Sequence, residues 1–126
     1  MIGEVSANEY ATRLIGSHAY QLCVAYQLTL DFSSDCSLVI GTAMTASSSA
    51  GTWDGEPMRG GAIDALLPLL YQPVVSAEVG SDGAIKLAFE AGAIAVVPCA
   101  DYEAWHLRVP PNGLAVCTPG GSIALW

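Results

Sequence analysis

Residues 22–32 read LCVAYQLTLDF, and the larger apolar side chains fall on every second position from Leu22 to Phe32. Successive side chains of a β-strand point to opposite faces of a sheet, so this alternation predicts one long, half-buried strand over residues 22–32. The polar triplet at residues 33–35, Ser-Ser-Asp, predicts a turn. A second, more uniformly apolar strand is predicted over residues 37–46. The fold is therefore expected to start as an antiparallel hairpin.

Shorter alternating segments continue the pattern toward the C-terminus. They are separated by turn sequences that contain Asp-Gly, Ala-Gly, Pro-Pro-Asn-Gly and Pro-Gly-Gly. Strands that follow one another through short turns form a meander. We predict an α+β fold that is predominantly an antiparallel β meander, folded as a curved sheet, a sandwich or a partial barrel. The predicted strands of this part are residues 74–79, 84–90, 93–97, 102–109, 114–118 and 122–126.

One or two short helices are expected beside the strands. Residues 8–15 predict a helix with Asn8 as its N-cap and Gly16 as its stop. Residues 62–71 predict a second helix, which Pro68 shortens because proline lacks a backbone donor.

A weak internal repeat divides the chain. The segment LTLDF at residues 28–32 resembles IKLAF, which lies 57 positions later, and an apolar strand follows each of them. An internal duplication would explain this, although hairpins in general share such a pattern. We expect a single domain over residues 1–126, with halves at about residues 8–46 and 62–97, C-terminal strands at 102–126 and a loop at 47–61.

The composition excludes several classes of protein. The 126 residues include 4 Lys and Arg against 12 Asp and Glu, which gives a net charge of −8, and 52% are hydrophobic. Disordered chains have low hydrophobicity, so the chain is expected to fold. Four cations cannot neutralise a row of phosphates, which argues against nucleic acid and against anionic membranes.

The low charge content predicts a protein partner. Only 13% of the residues are charged, whereas an average globular domain has about 25%. A small domain with so few ionic side chains is expected to expose an apolar patch, and such patches mark interfaces. The negative charge would steer the protein toward a basic partner, such as a toxin that acts on nucleic acid. A homodimer formed through a free sheet edge would satisfy the same reasoning, and we expect a homodimer.

The predicted loop at residues 47–61 is the candidate partner-binding segment. Loops of this length without regular structure are uncommon, and they are either functional or mobile linkers. Tryptophan, methionine and arginine are enriched at protein interfaces. If the loop binds a partner, replacing Trp53 by alanine should weaken binding and leave the stability nearly unchanged. The candidate partner-binding residues are Trp53, Asp54, Glu56, Met58 and Arg59.

Two carboxylates near the C-terminal strands need an explanation. Asp101 and Glu103 are two positions apart and are predicted to share a strand face with Trp105. Glu103 would then lie on an apolar, buried face, where a carboxylate requires partners. Paired carboxylates can perform acid–base chemistry, but they more often accept backbone hydrogen bonds at the start of a strand. His106 is the neighbouring titratable group, and we expect it to have an ordinary surface role.

Signatures of catalysis, cofactors and targeting are missing from the sequence. It contains no nucleophile elbow, no phosphate-binding loop and no paired metal-ligand spacing. We therefore expect no enzymatic activity, no cofactor and no metal. The N-terminal residues do not resemble a secretory signal, which predicts a cytoplasmic protein. In that compartment we expect four buried, reduced thiols. These are Cys23, Cys36, Cys99 and Cys117.

The C-terminal part resembles a known group of proteins. Tyr-Glu-Ala-Trp at residues 102–105 and Cys-x-Pro-Gly-Gly-x-x-Ala-x-Trp at residues 117–126 resemble a family of small bacterial proteins that is classed as a domain of unknown function. The resemblance covers about residues 74–126 and implies no activity. By analogy of size and acidity, the chain is also similar to immunity proteins that neutralise bacterial toxins.

Three functions therefore stay open. The first is a non-enzymatic protein-binding module, of which a toxin-neutralising immunity-type protein is one form. The second is a small-molecule-binding β protein with an apolar pocket, and the third is a homodimeric structural protein. The aromatic side chains would line such a pocket or would simply fill the core. They are Tyr20, Tyr26, Phe32, Phe89, Tyr102, Trp105 and Trp126.

Overall fold

The computed structural model describes residues 2–57 and 60–126, with side chains from residue 7 onward. Within these residues, eleven strands form two antiparallel sheets, accompanied by two short helices. The helices are α1 (Ile2–Thr12) and α2 (Gly61–Leu66), and a 3₁₀ turn (Leu67–Leu69) follows α2. The strands are β1 (Ala19–Val24), β2 (Leu28–Phe32), β3 (Ser37–Ile40), β4 (Met44–Ser48), β5 (Gly51–Gly55), β6 (Val74–Val79), β7 (Ile85–Phe89), β8 (Gly92–Val96), β9 (Trp105–Val109), β10 (Gly113–Cys117) and β11 (Ile123–Leu125).

The two sheets enclose one hydrophobic core. The first sheet has the strand order β1-β2-β3-β9-β10-β11, and the second has the order β5-β4-β8-β7-β6. Alternate residues of β2 and β7 point inward, namely Leu28 and Leu30 of β2 and Ile85 and Leu87 of β7, and all four are buried. The predicted α+β fold of antiparallel strands is thereby confirmed as two facing sheets. No helix in the described part of the chain is long and apolar enough to cross a membrane.

The two halves of the chain repeat one arrangement of elements. Each half consists of a helix, a three-stranded meander that joins one sheet, and strands that cross to the other sheet. The first strands of the two meanders, β1 and β6, have matching irregularities, because each shifts register beside a phenylalanine, Phe32 or Phe89. His18 and Pro73 join the two halves in an antiparallel bridge. β9, β10 and β11 cross to the first sheet as β4 and β5 cross to the second.

Two strand predictions were wrong, and both for the same physical reason. Residues 22–32 form the hairpin β1–β2 instead of one strand, and residues 37–46 form β3 and β4, which belong to different sheets. In each case three residues, 25–27 and 41–43, separate the two strands. When an odd number of residues separates two strands, the inward-facing positions stay on the same parity in both strands. The apolar alternation then continues through the break and does not reveal where one strand ends and the next begins.

The prediction of a loop over residues 47–61 was also wrong, because most of these residues form regular structure. β4 extends to Ser48, β5 occupies Gly51–Gly55, and α2 begins at Gly61. The sequence Gly-Thr-Trp-Asp-Gly of β5 has no alternating apolar pattern. Its five residues are instead all paired with β4, so the neighbouring strand holds β5 in the sheet despite its weak pattern.

Both helices differ from their predicted bounds. α1 begins near the N-terminus, and Asn8 lies inside it instead of capping it. The Asn8 side chain contacts the edge of β6, where its Oδ1 accepts from the Val79 N–H at 2.7 Å and its Nδ2 donates to the Val79 carbonyl at 3.0 Å. α2 ends before Pro68, as the missing backbone donor predicts, and the chain continues as a 3₁₀ turn.

The tryptophan at the start of β9 anchors a distant turn. Trp105 is completely buried, and its Nε1–H donates to the carbonyl of Gly83 at 2.9 Å. Gly83 has a φ of +92°, and a Cβ at this position would overlap the carbonyl oxygen of Gly121. The β6–β7 turn and the β10–β11 turn therefore pack backbone against backbone, which only glycine permits.

Candidate functional site

The two segments that cross between the sheets meet at one end of the molecule. Residues 41–43 connect β3 to β4, and residues 97–104 connect β8 to β9. The Gly41 N–H donates to the Ala104 carbonyl at 2.9 Å, and the Thr42 hydroxyl donates to the Val97 carbonyl at 3.4 Å. A Cβ on Gly41 would come within 3.0 Å of the Glu103 carbonyl oxygen, so the two segments are in close contact. We call this the crossover end.

A cleft of about 620 Å³ opens at the crossover end. Five segments line it, namely the β1–β2 turn, the two crossing segments, the residue that follows β5, and the β10–β11 turn. No two of these segments are adjacent along the chain, so only the fold brings them together. The lining residues are Tyr26, Gln27, Gly41, Thr42, Glu56, Cys99, Asp101, Tyr102, Glu103 and Pro119.

The cleft is acidic and carries exposed phenol groups. Among the residues that the structure describes, its lining includes three carboxylates, Glu56, Asp101 and Glu103, and neither lysine nor arginine. Tyr26 is 74% exposed and Tyr102 is 68% exposed, so both rings are accessible at the surface. Carboxylates accept charge-assisted hydrogen bonds from guanidinium and ammonium groups, and tyrosine faces attract such cations. The cleft is chemically suited to a positively charged ligand group.

Glu103 has a different environment from the one the sequence predicts. β9 begins at Trp105, so Glu103 precedes the strand and is exposed instead of lying on the buried face. Its Oε1 is 2.8 Å from Nε2 of His106. The expectation of a buried carboxylate was therefore wrong, because the inward parity of β9 starts only after residue 104. Asp101 and Glu103 both line the cleft, but they precede β9, so the predicted strand face shared with Trp105 does not form.

The four cysteines are free thiols in different environments. Cys36 and Cys117 are buried, as predicted, and burial raises the pKa of the Cys117 thiol. A hydrogen bond with the backbone of Ala104 lowers that pKa, and the charge of Asp82 raises it further. Cys99 is half-buried at the cleft, whereas Cys23 is exposed on β1, contrary to the prediction. The described residues contain no cluster of His, Cys, Asp and Glu that could hold a metal ion.

The residues predicted to form one partner-binding loop are dispersed. Trp53 is half-buried and packs against the core, and a Cβ on Gly61 would overlap its indole ring. Asp54 is exposed, and its Oδ1 accepts from the Thr45 hydroxyl at 2.6 Å. Of the described members of this set, only Glu56 lines the cleft. Met58 and Arg59 lie outside the described residues. Trp53 is therefore a strand residue packed against the core and not a free loop side chain.

Tyr26 and Tyr102, two of the aromatic residues that the sequence offered either for a pocket or for the core, line the cleft. Tyr26 falls on the apolar parity of residues 22–32, where the pattern predicts a core position, but it lies at the tip of the β1–β2 turn. Tyr102 is likewise exposed ahead of β9. The signal that could have identified both residues was their position beside turn or loop residues. Phe32, Phe89 and Trp105 do fill the core.

Comparison with known proteins gives one match. A family model described as Family of unknown function (DUF6188) matches residues 10–126. Neither a curated protein nor a solved structure matches the chain.

Proposed function

The chain belongs to the family of unknown function DUF6188, and from the geometry of its cleft we propose that it is a non-enzymatic binding protein for a basic protein partner. The observation that carries the proposal is the cleft at the crossover end. Its described lining combines three carboxylates and two exposed tyrosines and contains neither lysine nor arginine.

The shape of the cleft favours a protein partner over a small molecule. Sites for small molecules usually enclose 70–90% or more of a drug-sized ligand. Here the carboxylate-bearing residues and both tyrosines are exposed, so the cleft is an open depression instead of an enclosed cavity. An open depression of this kind suits a basic side chain that protrudes from a larger partner, whose own surface would complete the enclosure.

Charge supports the same partner class. The chain carries a net charge of −8, which accelerates association with a positively charged molecule. Within that field, the cleft offers carboxylates and tyrosine rings, both of which pair well with arginine. A toxin that acts on nucleic acid carries arginine and lysine to bind phosphates. An immunity-type protein that covers such a surface is the finer form of our proposal.

The proposal is tested by titrating the ¹⁵N-labelled protein with an unstructured arginine–serine peptide and following the amide signals by NMR. We expect the largest shift changes at residues of the cleft, such as Tyr26, Gln27 and Tyr102. Binding should weaken as salt is raised, because exposed ion pairs are screened. Shift changes that spread evenly over the surface, or that cluster elsewhere, would refute the cleft as the binding site.

A pair of triple variants separates the cleft from the overall charge. The cleft variant combines Glu56→Gln, Asp101→Asn and Glu103→Gln, and the control combines Asp64→Asn, Glu78→Gln and Glu90→Gln. The control residues are exposed and lie outside the cleft, and both variants remove three negative charges. At about 0.5 kcal/mol for each exposed ion pair, the cleft variant should bind the peptide roughly tenfold more weakly. An equal loss in the control variant would contradict the proposal.

A small cationic molecule is the second candidate ligand. The cleft volume of about 620 Å³ lies within the usual range of small-molecule sites. Titration with free arginine and with agmatine distinguishes this case. If either compound binds as tightly as the peptide, and the cleft variant abolishes its binding, the small-molecule function replaces the protein-binding one.

A further inference from the structure

His106 contacts one of the three carboxylates of the cleft. Its Nε2 is 2.8 Å from Oε1 of Glu103, and Glu103 lines the cleft, whereas His106 does not. The Glu103 side chain is 52% exposed and the His106 side chain is 32% exposed, so both groups exchange protons with solvent. A charge on the imidazole ring therefore acts on the acidic cleft through the contact with Glu103.

The start of β9 produces this contact. Glu103 precedes the strand and His106 is its second residue, so the two side chains are three positions apart. His106 lies between the buried residues Trp105 and Leu107, and its side chain is therefore on the outer face of the first sheet. The pair joins that outer face to the cleft.

The two strands that flank His106 present no charged group to it. Its partners in the sheet are Val39 of β3 and Val116 of β10. β3 contains no titratable residue, and the only one in β10 is Cys117, whose thiol is buried. The electrostatic surroundings of His106 are therefore set by groups on its own strand and by Glu103.

Two other charged groups share the outer face of the sheet with His106. Arg108 follows two positions later on β9, and a guanidinium stays protonated throughout the physiological pH range. Asp31 of β2 is aligned through Ser37 with Arg108, and β2 is two strand spacings, or about 10 Å, from β9. Among the described residues, Glu103 is the one carboxylate within ion-pair distance of His106.

We propose, on the basis of the function proposed above for the cleft, that protonation of His106 regulates the cleft and weakens its binding of a basic partner as the pH falls from about 7.5 to 5.5. While His106 is neutral, Glu103 adds a full negative charge to the cleft. Once His106 is protonated, the imidazolium and the carboxylate form an ion pair with no net charge. A guanidinium of the partner must then compete with the imidazolium for Glu103.

The pH range follows from the kinds of titratable group in the chain. Histidine is the side chain whose charge ordinarily changes between pH 5 and 8. Carboxylates ordinarily stay ionised above about pH 5.5, and thiols and phenols ordinarily stay protonated below about pH 7.5. The chain contains two histidines, and the other one, His18, packs near the ring of Tyr71 and does not line the cleft.

The size of the effect follows from the share of one carboxylate. Removal of all three cleft charges is expected to weaken binding roughly tenfold, so one of three equal contributions corresponds to about twofold. Protonation of His106 neutralises the charge of Glu103. Binding of a basic partner should therefore be about twofold weaker at pH 5.5 than at pH 7.5.

The test measures the Kd of the arginine–serine peptide at pH 7.5 and at pH 5.5 by NMR titration. The peptide is acetylated and amidated so that its termini do not titrate, and the ionic strength is held constant because salt screens exposed charges. We expect the twofold change in the wild type and in the control variant His18→Gln, which keeps the histidine at the cleft.

Two substitutions of His106 fix its charge. His106→Gln is neutral at both pH values, and it should bind at both with the affinity that the wild type has at pH 7.5. His106→Lys is positively charged at both, and it should bind at both about twofold more weakly. The amide spectrum recorded in each titration shows whether the variant is folded, and if one of them is not, the other still tests whether the pH dependence belongs to His106.

Failure of this proposal differs from failure of the proposed function. Absence of peptide binding at pH 7.5 overturns the function proposed for the cleft and the regulation with it. Equal affinity of the wild type at both pH values, with the peptide bound in the cleft, overturns the regulation alone. A pH dependence that persists in a folded His106 variant, or that disappears in His18→Gln, overturns it as well.

Discussion

Replacing Trp105 by alanine removes the largest fully buried side chain of the protein. Truncation of a buried tryptophan costs about 3–5 kcal/mol in the free energy of unfolding, because the cavity does not collapse completely. The variant also loses the hydrogen bond from Nε1 to the Gly83 carbonyl, which is buried. An unpaired buried acceptor adds about 1 kcal/mol, so we expect a total loss of about 4–6 kcal/mol.

This loss is large for a chain of 126 residues. Domains of this size have total stabilities of roughly 5–15 kcal/mol. The unfolding entropy per residue gives about 0.26 kcal/mol per degree for the whole chain, so the Tm should fall by about 15–23 °C. Urea denaturation followed by far-UV circular dichroism measures the free energy, and calorimetry measures the Tm.

Two companion variants make the measurement decisive. Trp105→Phe keeps an aromatic ring but loses the donor, and it should cost an intermediate amount of about 1–3 kcal/mol. Trp126→Ala truncates a side chain that is 66% exposed, and it should cost no more than about 0.5 kcal/mol. A loss below 1 kcal/mol for Trp105→Ala, or equal losses for the two alanine variants, would show that β9 does not present Trp105 to the core.

Three further predictions follow from local environments. Gly83→Ala should lower the free energy of unfolding by more than about 2 kcal/mol, because the facing turn leaves no room for a Cβ. The control Gly120→Ala has a similar φ of +89° but open space around the Cβ, and it should cost about 1–2 kcal/mol. Equal losses of the two variants in urea denaturation would contradict the packing. Trp53→Ala should lower the free energy of unfolding by about 2–3 kcal/mol because the ring packs against the core, and an unchanged Tm would refute this. The pKa of the Cys23 thiol is raised by partial desolvation, by its hydrogen bond to Asp31 and by the charge of Asp31. Asp31→Asn should therefore lower that pKa and speed the labelling of Cys23 by iodoacetamide at pH 8. An unchanged labelling rate would refute the coupling.

The candidate site was only partly predictable. Two acidic residues at strand spacing indicate Asp101 and Glu103, and the segment at residues 47–61 includes Glu56. The sequence left open whether the tyrosines line a pocket or fill the core, and the apolar parity of Tyr26 favoured the core. Whether such a tyrosine is exposed depends on where its strand ends. An alternating pattern does not mark the end of a strand when a three-residue turn preserves the parity.

The sequence by itself determined the secondary structure class. Its alternating apolar positions, its Gly- and Pro-containing turns and the position of Pro68 predicted antiparallel strands with two short helices, because backbone geometry and side-chain period are local properties. The tertiary structure alone decided that β3 and β4 separate into different sheets and that β5 pairs despite its weak pattern. It also decided that five distant segments meet in one cleft. These features arise from backbone hydrogen bonds and packing between residues far apart in the chain, and no local pattern records them.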